Sequence, residues 1–116
     1  MAKTTETGIY KAADELLMKI AQLTGNFPRN RRLLAARLFD DAHELQQWIF
    51  RTNSAQDKVP GITRIKEYAT AIYISLRVSS KLRLITPGQH GDTVIIVEQV
   101  SQQAARWMNW AKRNRA

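Results

Sequence analysis

The sequence predicts an all-α protein, a single domain built as an up-down-up-down four-helix bundle. Three observations carry this. The breakers gather in three places, Gly25 to Pro28, Pro60-Gly61, and Pro87 to Gly91. Each of the four segments between them is long enough for a helix and carries an apolar stripe at helical spacing. The chain has 116 residues and no cysteine. That is enough to bury one core, with neither a disulfide framework nor a thiolate metal site available to it.

The first helix is expected over about residues 7–24. Ile9, Ala13, Leu16, Leu17, Ile20 and Leu23 form its apolar face, and Gly25-Asn26 supplies a stop. The second is expected over 29–52, with Leu34, Leu38, Ala42, Leu45 and Ile49 inward and Phe39 and Trp48 widening the stripe. SAQDKVPG reads as the connection after it. The third is expected over 61–85, with Ile62, Ile65, Ala69, Ile72, Leu76, Ser79 and Leu82 on one face and Pro87 barring continuation. The fourth is expected over 87–113. Thr86 can be its N-cap with Pro87 at the first helical position, the alternative being a cap at Asp92. TVIIVEQV has strand propensity, but no second strand is available to pair with it. Val94, Val97, Ser101, Ala104, Met108 and Ala111 trace the inner stripe of this helix.

Charge is the strongest global signal. Eighteen Lys and Arg against ten Asp and Glu give +8 and a pI near 10.3, which points to a polyanionic partner, usually nucleic acid. The N-terminus lacks the apolar run of a signal peptide, and the longest uninterrupted apolar run, Val94 to Val97, is far short of a membrane span. A soluble, cytoplasmic protein is expected. Catalytic chemistry is thin. His43 and His90 are the only histidines, and the Glu-x-x-His pattern of a di-metal bundle is missing. GQHG has neither the lysine nor the spacing of a phosphate loop, and no serine elbow occurs. No enzymatic activity, cofactor or metal is expected; His90 reads as a loop residue and His43 as a solvated or edge residue.

The positive charge is patterned. Lys66, Arg77 and Lys81 fall within about 60° of one another on the third helix, with Tyr73 on the same side, while Arg83 and Arg64 point elsewhere. Such a row can follow a phosphate backbone, or be a solvated face. Arg106 and Arg113 align on the fourth helix. Trp107 and Trp110 read as one patch for subunit or partner contact rather than base stacking. FPRNRRLLAARL puts Arg29, Arg31, Arg32 and Arg37 where a helix begins, although helix starts favour negative charge. They are solvated, or paired with Asp40, Asp41 and Glu44 along the helix or with a neighbouring chain. Compatibly with that, they make an anion-attracting surface beside the bare N–H groups of the helix start.

In order and spacing, Phe27-Pro28-Arg29, Arg32, Leu76-Arg77, Leu82-Arg83-Leu84-Ile85 and Trp107 to Lys112 resemble the accessory variability determinant (Avd) family of diversity-generating retroelements. The similarity runs from about Ile9 to Lys112. Many relatives carry glycines ahead of the tryptophan in the last helix, where this chain has SQQAARW. The resemblance implies a four-helix bundle that forms a ring-shaped homopentamer. It further implies binding of a reverse transcriptase and of RNA or DNA, in support of mutagenic copying of a template RNA into cDNA. On that reading Arg77, Lys81 and Arg83 contact nucleic acid or the polymerase. The related 23S rRNA intervening-sequence proteins share the bundle and the corner. They give the alternative, a structural interaction protein without direct nucleic-acid binding.

Overall fold

The computed structural model describes residues 7–115 and shows four helices packed against one another. They are α1 (Gly8–Thr24), α2 (Arg32–Ser54), α3 (Val59–Lys81) and α4 (Pro87–Arg113), with a 3-10 turn over Arg29–Arg31 leading into α2. Helix α1 packs on α2 and α4, and α3 packs on α2 and α4, while the diagonal pairs do not meet. The bundle is therefore a square of antiparallel neighbours, 48 Å long and 21 by 20 Å across.

The core follows most of the predicted stripes, though Leu34 is only half-buried and lies outside it. Leu16 and Ile20 from α1, Leu45 and Ile49 from α2, Ile65, Ile72 and Leu76 from α3, and Val100 and Ala104 from α4 are almost fully buried. Large aliphatic side chains dominate this core, and burying each contributes roughly 1.5–3 kcal/mol before the entropy of ordering it is subtracted. Tyr10, Phe27, Trp48, Tyr68 and Trp107 pack around its rim. Phe27 thus packs on the core at the α1–α2 corner.

Local chemistry sets most of the boundaries. Thr7 caps α1, its hydroxyl accepting from the Tyr10 N–H at 3.3 Å. Thr86 caps α4 in a complete capping box with Gln89, and Pro87 opens the helix. The Asp92 alternative therefore falls, and Gly88 to Gly91 lie inside α4. Helices α2 and α3 approach closely at Gly61. A Cβ there would collide with the Thr52 hydroxyl, which is buried and, among the described residues, has no hydrogen-bond partner.

Three expectations need correction. Helix α3 stops at Lys81, four residues before the predicted Ile85. Arg83 adopts φ 58°, a left-handed conformation, so its N–H donates to Ser80 O and the Leu84 N–H to Ser79 O. This pairing is a Schellman motif with arginine where glycine is usual. Leu82 is consequently exposed and Ile85 is buried in its place. On α4, Val100 rather than Ser101 enters the core, because the apolar run that sets the phase spans several faces of the helix. Phe39 is 40% exposed and stacks on His43 instead of widening the core stripe.

Candidate nucleic-acid interface

The element order places the α1–α2 and α3–α4 connections at one end of the bundle, here called the loop pole. The α2–α3 connection, the start of α1 and the end of α4 share the other, the terminal pole. Charge is sorted along this axis. The middle thirds of the four helices hold Asp14, Glu15, Asp40, Asp41, Glu44, Glu67 and Glu98, with Lys19 as their one cation. Every helix contributes at least one carboxylate to this belt.

The loop pole holds Arg29, Arg31, Arg32, Arg37, Arg77, Lys81 and Arg83, and one carboxylate, Asp92. Two acid-free windows converge there, residues 16–39 and 68–91, remote in sequence but adjacent through the α2–α3 packing. Arg29, Arg32, Arg77, Lys81 and Arg83 are all exposed. Among the described residues, none of them has an ion pair, side-chain hydrogen bond or ring contact. Among the described residues none of the early arginines makes a salt bridge with Asp40, Asp41 or Glu44, although the charge of Arg37 is felt at Asp41; the salt bridge seen is Arg115 to Asp57 at 2.9 Å, at the opposite pole.

Asp41 reports on the belt. Burial pushes its carboxyl above the usual range, and Asp40 and Glu44 push the same way, while Arg37 opposes them. Crowded carboxylates at mid-bundle would repel a polyanion, which leaves the loop pole the more cationic surface of the two.

Lys66 parts company with Arg77 and Lys81. It shares their angular stripe but lies about 16 Å along the helix from Arg77, beyond the belt and next to Glu67. The predicted stripe therefore contributes its upper two members to the loop pole, and the structure adds Arg29, Arg31 and Arg32 to them.

The tryptophan patch divides as well. Trp107 packs on the core beside Ile9, Ile49 and Gln103. Trp110 is 45% exposed and lines a cleft of about 390 Å³ with Gln56, Asp57, Lys58 and Arg115. The predicted single patch is thus two environments, because a three-residue step turns the side chains about 60° apart.

His90 lies in the first turn of α4 rather than in a loop, half-buried, with Nε2 buried and unpartnered. His43 is exposed, as expected. Among the described residues no three His, Asp or Glu gather into a metal-binding group, and no helix is long and apolar enough to cross a membrane.

Comparison with family models, curated proteins and solved structures finds no match for this chain.

Proposed function

We propose that this protein is a non-enzymatic accessory to a reverse transcriptase, of the kind that the Avd family supplies to diversity-generating retroelements, and that it binds RNA or cDNA across its loop pole. The observation that carries this reading is the convergence of two acid-free windows into one exposed, unpaired cationic surface. Cations held without carboxylate partners are free to release counterions from a phosphate backbone. The polymerase partner and a homo-oligomeric, by resemblance homopentameric, assembly rest on the sequence motifs alone.

The test is an RNA titration followed by fluorescence anisotropy. If about five cations each neutralise one phosphate of a single strand, affinity falls about a hundredfold between about 50 and 200 mM salt. Absence of binding at the lower salt, or affinity indifferent to salt, overturns the reading. For the polymerase arm, a reverse transcriptase encoded beside this gene should co-elute with the protein, and separate elution argues against it.

A second reading is favoured by a different observation. Leu33, Ile74, Val78 and Leu82 are exposed apolar side chains at or near the loop pole, with Leu33 89% exposed. A structural interaction protein would use such side chains to dock a protein partner. It predicts negligible RNA affinity together with concentration-dependent assembly, which light scattering on the same sample measures.

A further inference from the structure

The terminal pole is the second cationic surface of the molecule. Lys66, Arg106, Lys112 and Arg113 are exposed there and, among the described residues, carry no ion pair. Among the described residues the one carboxylate at this pole, Asp57, is paired with Arg115. No acid follows Glu98 in the sequence. The 48 Å length of the bundle and the carboxylate belt separate this surface from the loop pole, so one strand cannot engage both without crossing repulsive charge.

This pole also offers a cleft roomy enough for a nucleobase. The half-exposed Trp110 lines it. Gln56, whose side-chain amide offers both donors and an acceptor, lines it as well, together with the Asp57–Arg115 pair. An aromatic face beside cations is the chemistry that holds an unpaired base with its phosphates outside. A duplex offers no free base face to such a cleft, which makes the ligand a single strand.

We infer that the terminal pole is a second nucleic-acid site, one that takes an unpaired strand with a base stacked on Trp110, so that a single molecule holds two strands at once. This rests on the loop pole binding nucleic acid as proposed above. It turns a passive binder into a bridge that raises the local concentration of one strand around another.

The experiment uses the full chain and two batches of an oligouridine of about twelve nucleotides, one carrying a donor dye and the other an acceptor. Uridine runs cannot pair with each other, so energy transfer reports bridging by protein. The result expected is transfer at limiting protein. In Trp110→Ala combined with Lys112→Ala and Arg113→Ala, transfer should fall roughly tenfold while anisotropy of a single labelled strand persists through the loop pole. Trp110→Phe, which keeps an aromatic face, should retain most of the transfer, and circular dichroism confirms that each variant is folded. Binding without transfer overturns the inference and leaves the loop-pole reading standing. Transfer undiminished in the triple variant also overturns it, since bridging then comes from several copies each holding one strand. Absence of binding removes both.

Discussion

At the terminal pole Lys58 spends its ammonium on the last turn of α2, donating to the carbonyls of Thr52, Asn53 and Ala55 at 2.8–3.3 Å. Arg51 and Arg64 sit over the Trp48 ring at 5.1 and 5.9 Å, and Arg115 pairs with Asp57. At the loop pole Arg29, Arg31, Arg32, Arg77, Lys81 and Arg83 have no such employment. Two of its features also oppose local stability. Three arginines crowd a helix entry whose caps, Pro28 and Arg31, make no side-chain hydrogen bond. Arg83 occupies a left-handed position that glycine fills without strain. Yet the same pole contains the Thr86 capping box, so good capping chemistry is present alongside. The contrast teaches that cations at one end are partly structural, while those at the other are held at some cost to folding, as expected where a surface serves binding.

The largest effect expected is on binding. Replacing Arg29, Arg32 and Lys81 together with alanine should flatten the slope of log affinity against log salt by about two, and weaken RNA binding about a hundredfold at about 0.1 M salt. The urea midpoint should stay the same or rise, because the loop-pole cations support no contact. At the terminal pole, Lys58→Met reverses the pattern. It leaves three carbonyls without their charged donor and should lower unfolding free energy by about 1–2 kcal/mol, read by urea denaturation. Thr86→Ala removes the one well-made entry at the loop pole and should cost about 1 kcal/mol with RNA affinity preserved.

The smallest effect concerns the belt between the poles. A carboxyl whose folded pKa is raised binds its proton more tightly in the folded than in the unfolded chain. Its ionisation therefore erodes stability as pH rises from the ordinary carboxylate range through the raised value. Asp41→Asn should be slightly more stable than the parent at neutral pH, and the difference should vanish in acid. An advantage that grows as pH falls would contradict the assignment of burial and Asp40 and Glu44 as the cause.

Much of the fold was legible because helix signals are local. The stripes of α1 and α2 and the Thr86-Pro87 entry were visible in short windows, and each met a matching partner face. The end of α3 was not visible, because a left-handed arginine carries no residue signature comparable with glycine. The phase of α4 was blurred by the β-branched run, which offers apolar groups in several directions. The candidate interface was legible only in fragments. Arg29 and Arg32 were singled out at the helix entry, and Arg77, Lys81 and Arg83 on or beyond a single helix. Their union depends on which ends the connections bring together, a property of topology rather than of periodicity. The signal that could have joined them was the absence of any carboxylate from residues 16–39 and 68–91.

Arg83→Gly tests most directly whether the loop pole trades stability for polyanion binding, when urea unfolding and RNA anisotropy are measured on one preparation. Left-handed backbone costs a non-glycine residue roughly 1–2 kcal/mol, partly offset by the greater freedom of glycine in the unfolded chain. The result expected is a variant several tenths of a kcal/mol more stable that binds RNA several-fold more weakly and with a shallower salt slope. A variant that loses stability, or binds RNA as well as its parent, would contradict it.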